Sequence, residues 1–65
     1  MELLKLVIVD DEPILLQGLI KTYDWAGMGF QVAGTAQSGE QAIQVIKEVK
    51  PHVVLTDIQI GRAHV

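Results

Sequence analysis

Two apolar runs in this chain end in aspartate. Leu6-Val7-Ile8-Val9 stops at Asp10-Asp11, and Val53-Val54-Leu55 stops at Thr56-Asp57. A strand covered on both faces reads as a continuous Val/Ile/Leu run, and ligands of open α/β sheets bind just beyond the carboxyl ends of the strands. If the two runs are adjacent parallel strands, three carboxylates meet at one sheet edge. Carboxylates grouped in this way repel one another unless a cation sits among them, so the pattern predicts a site for a hard divalent metal. Mg²⁺ suits such a site, because it binds a few carboxylates plus waters in octahedral geometry and accepts phosphate oxygens as further ligands. With Asp57 as nucleophile, the chemistry is in-line transfer of a phosphoryl group to a carboxylate oxygen, giving an aspartyl phosphate.

Simpler roles exist for the same residues. Acids ahead of a helix stabilise it by about 0.3–1 kcal/mol each, and a lone aspartate after a strand is commonly a turn residue or helix cap. The first role covers Asp10 and Asp11 near Pro13 but leaves Asp57 at a second strand end unexplained. Other phosphate chemistry lacks its residues: there is no Gly-rich loop carrying Lys, and the first run ends in Asp-Asp rather than G-x-G-x-x-G. His52 and His64 are isolated and have no second ligand at metal spacing, so both read as solvated surface residues. Trp25, Met28 and Phe30 read as a connecting segment packed against the first helix.

The elements that must position the acids follow from the pattern. Leu4 to Val9 has the length and β-branched content of a central strand. Asp10-Asp11-Glu12-Pro13 breaks it and opens a helix, Pro being tolerated at the first helical position. Ile14, Leu15, Gly18, Leu19 and Thr22 fall at helical spacing and predict its apolar face, with Gly18 there for close packing on the sheet. Tyr23 to Gly29 is a connection punctuated by glycine. In Phe30 to Ala36 the residues Phe30, Val32 and Gly34 alternate with Gln31, Ala33 and Thr35, which predicts a second, less buried strand. Ser38 with Gln41 three residues on resembles a capping box; Ala42, Ile43, Val45, Ile46 and Val49 give the helix behind it an apolar face, and Pro51 requires it to end by Lys50. Val53 to Thr56 is the third strand. This strand-helix alternation predicts parallel strands, right-handed crossovers and helices on both faces of the sheet.

Composition bounds the possibilities. The chain has 65 residues, a formal net charge of −3, a hydrophobic share of 49% and no cysteine, which reads as one small globular domain with no disulfide support. Chains below roughly 70–80 residues rarely bury enough surface to be stable without a disulfide, a metal or a partner. Five Lys/Arg residues form no basic stripe, so this segment is expected to make no nucleic-acid contact itself. Neither a secretory signal nor a membrane-length apolar run is present, and a cytoplasmic location is the expectation.

Taken together, Val7-Ile8-Val9-Asp10-Asp11-Glu12-Pro13, Ser38-Gly39-Glu40-Gln41-Ala42 and Lys50-Pro51-His52-Val53-Val54-Leu55-Thr56-Asp57 resemble the receiver domain of two-component response regulators, over residues 1–59. Tyr23-Asp24-Trp25 through Gly29-Phe30 further resembles receivers that precede an AraC-type DNA-binding domain. The resemblance implies a truncated flavodoxin-like, doubly wound α/β sheet with strand order 2-1-3. It implies that Asp57 is the phosphoacceptor, charged by a sensor histidine kinase, and that the chain is not itself an enzyme. Asp11 then corresponds to a direct Mg²⁺ ligand, Asp10 to the second acid, and Gln59 to the position that offers its backbone carbonyl to the metal. In the longer protein the phosphoryl group would control a transcription-regulating output domain, and such a protein could dimerise.

Departures accompany the matches. The phosphoryl-sensing Ser/Thr, the paired Lys and the aromatic switch residue of the family have no counterpart in residues 1–65. Ile60-Gly61-Arg62-Ala63-His64-Val65 replaces the usual Met-Pro and turn; it is also what one frame of a common sequencing-adapter oligonucleotide encodes, so residues 60–65 are expected to be a non-native tail without a role. Two competing classes remain at this level. One is a non-catalytic interaction or dimerisation module with structural acids, or an inactive fragment, which phosphorylation lost in Asp57→Asn distinguishes from a receiver. The other is a metal-dependent hydrolase, which needs a general acid or base beyond the three aspartates, and none is visible.

Overall fold

A computed structural model of the chain describes residues 2–56. The elements run β1 (Leu4–Val9), α1 (Pro13–Thr22), β2 (Phe30–Ala36), α2 (Gly39–Val49) and β3 (Val53–Thr56). The three strands form one parallel sheet in the order β2-β1-β3, the order expected of a truncated receiver fold. β1 is therefore central, and Leu6, Val7, Ile8 and Val9 are all buried. Side chains alternate across a strand, so β1 serves both faces of the sheet. Leu6 and Ile8 pack with Leu16 of α1, while Val7 and Val9 pack with Ala36 and with Ala42 of α2. Each such aliphatic side chain taken out of water is worth about 1.5–3 kcal/mol, which makes β1 the strand the whole unit is assembled around.

α1 turns a different face to the sheet from the one its spacing predicts. Leu16 is buried, and Leu19 and Ile20 pack beside it. Of the expected set only Leu19 is inward: Ile14 is 84% exposed, Leu15 is 54% exposed, and Gly18 and Thr22 are open to solvent. The helix is apolar over more than half its circumference, so both 14-15-18-19-22 and 16-19-20 satisfy helical spacing, and only docking onto Leu6 and Ile8 chooses between them. Gly18 correspondingly has no packing role, since a Cβ built there meets nothing within 4 Å. The acids also fall short of the first turn of α1; they precede it, with Glu12 at the N-cap making no side-chain cap and Pro13 opening the helix.

β2 departs from strict alternation. Leu6 pairs with Val32 but Val7 pairs with Gly34, so Ala33 is an extra residue that shifts the register, a bulge. Its effect is to change which face the strand serves: Phe30 and Val32 pack on the α1 side, whereas Ala36 packs on the α2 side. Gly34 is now essential, because a Cβ there would lie 2.6 Å from Val45 Cγ1 and 3.4 Å from Val49 Cγ2.

The ends of α2 follow the sequence closely. Ser38 Oγ accepts the Gln41 N–H at 3.1 Å, and Gln41 Oε1 reaches back to the Gln37 N–H at 2.8 Å, one residue earlier than in a standard capping box. The helix closes at Lys50, which adopts a left-handed conformation (φ 54°) and donates its N–H to the Ile46 carbonyl. Of its expected apolar face, Ala42, Val45, Ile46 and Val49 pack inward, and Ile43 is 55% exposed. The connection after α1 is held by Trp25, whose Nε1–H donates to the Leu19 carbonyl at 3.1 Å and whose ring packs on the α1 side of the core.

The glycines give opposite expectations. Gly18→Ala adds helix propensity with no contact and should stabilise the chain by about 0.5–1 kcal/mol, whereas Gly34→Ala must push Val45 aside and should cost about 1–3 kcal/mol. Urea denaturation of the two variants measures both, and the same sign for both would contradict the packing described.

Candidate functional site

The candidate site lies at the carboxyl edge of the sheet, where β1 hands over to α1. Asp10 follows the last buried residue of β1 and is itself 98% buried, with 2% of its surface exposed. Its backbone N–H donates to the Ala36 carbonyl at 3.0 Å, so the ladder with β2 carries it one residue past the strand. Its carboxylate is shared unequally. Oδ1 accepts the Glu12 N–H at 2.9 Å, a local turn of the kind aspartate favours. Oδ2 is buried and has no hydrogen-bond partner among the described residues. A buried carboxylate oxygen left without a donor is costly, and it is the sort of acceptor that a cation satisfies.

Asp11, the next residue, is exposed. One acid is thus sunk into the edge of the sheet and the other stands at its surface, as a metal with both protein and water ligands requires. Asp57 and Gln59 lie outside the described residues. What is described is the approach to Asp57: β3 pairs with β1 in the register Val7↔Val54, Ile8↔Leu55 and Val9↔Thr56. The residues immediately before Asp10 and Asp57 are therefore direct neighbours across the sheet. Among the described residues no group of three or more His, Cys, Asp or Glu is placed to hold a metal; the third acid of the expected set is Asp57. The donor chemistry of the two described acids fits a hard cation, and Asp10 Oδ2 is the observation that carries this.

The surroundings are apolar. From Asp10 a groove of about 330 Å³ runs along α1 past Ile14, Leu15, Gly18 and Tyr23, and a second of about 300 Å³ lies between β1 and β3, lined by Ile8, Val9, Leu19, Leu55 and Thr56. Sequence spacing finds the acids because they end apolar runs. It misses the Asp10–Glu12 bond and the bond that His52 makes, which are backbone contacts to side chains and leave no periodic signal. His52 is an exposed surface residue, as expected, and its Nδ1 also accepts the Lys5 N–H at 2.9 Å.

Comparison with known proteins agrees with this architecture. The family profile of the response regulator receiver domain matches residues 6–64. Over 56 residues the chain is 36% identical to the uncharacterized transcriptional regulatory protein YesN of Bacillus subtilis, covering 86% of this chain and 15% of that protein. Over 58 residues it is 38% identical to the transcriptional regulatory protein HptR of Staphylococcus aureus, covering 89% of this chain and 23% of that one. No solved structure matches it. The chain belongs to the response regulator receiver family, and it spans less than a quarter of the length of these two relatives. No described helix is long and apolar enough to cross a membrane.

If Asp10 Oδ2 is an orphan that a cation must satisfy, removing its charge should help the metal-free chain. Asp10→Asn keeps an oxygen for the Glu12 N–H while discharging the buried group, and in EDTA it should raise the unfolding midpoint by an amount equivalent to about 1–3 kcal/mol. A midpoint lowered in EDTA would mean that the buried charge is already satisfied within the protein.

Proposed function

We propose that this chain supplies the phosphoryl-accepting half of a two-component response regulator, with Asp57 as the acceptor. The observation that supports this most directly is the juxtaposition of a buried, half-satisfied carboxylate at Asp10 with a strand register that pairs Val9 with Thr56. That register sets Thr56, the residue before Asp57 in the sequence, beside Val9, the residue before Asp10.

In this reading Asp10 and Asp11 would hold Mg²⁺, with the Gln59 backbone carbonyl and the Asp57 carboxylate as further ligands. When bound, Mg²⁺ neutralises charge on the phosphoryl oxygens. A carboxylate oxygen of Asp57 attacks phosphorus, the bond from phosphorus to the imidazole nitrogen of a sensor kinase phosphohistidine breaks, and the released imidazole takes up a proton. The chain is a phosphoacceptor rather than an enzyme in its own right. Asp10 positions the site through Glu12, whose N–H it holds at the mouth of α1. The acyl phosphate then shifts a conformational equilibrium that is read by a DNA-binding output domain of the longer protein, of AraC type, in the cytoplasm and with dimerisation as a route to output. The printed descriptions of the relatives as transcriptional regulatory proteins support a role in transcription, and the segment Tyr23 to Phe30 supports the subfamily.

The longest protein that the gene encodes should take up one phosphoryl group from a small-molecule phosphodonor in Mg²⁺, and Asp57→Asn should abolish the uptake. Mass spectrometry of the intact protein reads the result. Uptake that survives Asp57→Asn, or that proceeds equally in EDTA, contradicts the assignment.

A further inference from the structure

The groove that leaves Asp10 is walled by one exposed face of α1, along which run Ile14, Leu15, Gly18, Thr22 and Tyr23. Large apolar side chains stand open on it: Ile14 is 84% exposed, Leu15 54% and Tyr23 52%. Ile14, Gly18 and Thr22 form a single row at four-residue spacing, the kind of ridge by which helices pack. The middle of that row is a notch, because a Cβ built at Gly18 meets nothing of its own chain within 4 Å. A row with its smallest residue at the centre lets a second helix approach closely there.

The two ends of this face carry opposite charge. Asp11 and Glu12 are exposed ahead of the helix, and Lys21 is exposed in its last turn. Among the described residues none of the three is ion-paired. Asp24, the acid next to the Lys21 end, already accepts the Gly27 N–H through Oδ1 at 3.1 Å. The face is therefore acidic at one end, basic at the other and apolar between.

A surface of this kind fits a second copy of itself turned end for end. About a two-fold axis through Gly18, Ile14 of one copy meets Thr22 of the other and Leu15 meets the stem of Lys21, each contact occurring twice. The rise of about 1.5 Å per residue puts Lys21 about 4.5 Å and Glu12 about 9 Å from that axis, a gap that an extended lysine side chain spans while its stem lies on Leu15. A parallel copy would instead set acids beside acids, which like-charge repulsion disfavours.

We infer that the Ile14-Gly18-Thr22 face of α1 is a self-association surface, on which two copies of this chain pair antiparallel about Gly18. One helix pair buries less than the roughly 1,200–2,000 Å² of a standard interface, so the dimer is weak, with a dissociation constant between about 1 µM and 1 mM. The pairing is independent of whether Asp57 accepts a phosphoryl group.

Sedimentation equilibrium of the full 65-residue chain in EDTA, from about 10 µM to 1 mM, should show monomer and dimer in exchange. Ile14→Asp and Gly18→Gln each alter a residue exposed in the single chain, and each should weaken association at least about tenfold while the helical circular dichroism is unchanged. Lys21→Glu should weaken it roughly three- to tenfold, and adding Glu12→Lys to that variant should restore it. A chain that stays monomeric throughout the range overturns the proposal. Association that survives Ile14→Asp and Gly18→Gln also overturns it, since the contact would then lie on another surface such as β3, as does a double charge variant no stronger than Lys21→Glu alone. If Ile14→Asp does not fold, Gly18→Gln and the charge pair decide.

Discussion

Everything in this fold depends on the double burial of β1. Leu6 and Ile8 face α1, Val7 and Val9 face α2, and strands lie on both edges. A strand enclosed on four sides must contain a continuous aliphatic run, and whatever follows that run is delivered to a place water barely reaches. Here the following residue is Asp10. Its burial is a geometric consequence of the strand it terminates, and the cost of burying a carboxylate with one oxygen unpartnered is carried by the packing of four aliphatic side chains behind it.

The same strand organises its neighbours. The extra residue at Ala33 lets β2 give Phe30 and Val32 to one face and Ala36 to the other, so a seven-residue strand helps to close both cores. The bulge also brings Gly34 against Val45, which ties β2 to α2. On the other edge β3 is held by its ladder with β1 and by the Lys5–His52 bond. Val53, Val54 and Leu55 remain 37–42% exposed.

The three strands, the capping of α2 and the place of Asp10 and Asp11 behind β1 were legible in the sequence because each leaves a local signature: a β-branched run, a Ser followed by Gln at the right spacing, a proline that stops a helix; the strand order came from the family resemblance. The orientation of α1 was not. Ile14, Leu15, Gly18, Leu19 and Thr22 form as regular a stripe as Leu16, Leu19 and Ile20, and the choice is made by side chains of β1 that are distant in sequence. The bulge escaped for a related reason, since Phe30 to Ala36 alternates well enough to suggest a plain strand. His52 read as bland because its partner is a backbone amide 47 residues away. Within the candidate site the adjacency of Asp10 and Asp11 at the end of β1 was legible, and what the fold added was the inequality between them, one buried and half-satisfied, the other open to solvent.

That inequality is the centre of the functional account, and a Mg²⁺ titration followed by backbone amide resonances tests it most directly. Mg²⁺ should shift Asp10, Asp11 and Glu12 in the wild type, together with Thr56 across the sheet, and leave the Lys5 and His52 end of β3 unmoved; Asp11→Asn should weaken the response at least tenfold. Resonances at Asp10 to Glu12 that do not respond to Mg²⁺, or that respond equally after Asp11→Asn, would contradict the account.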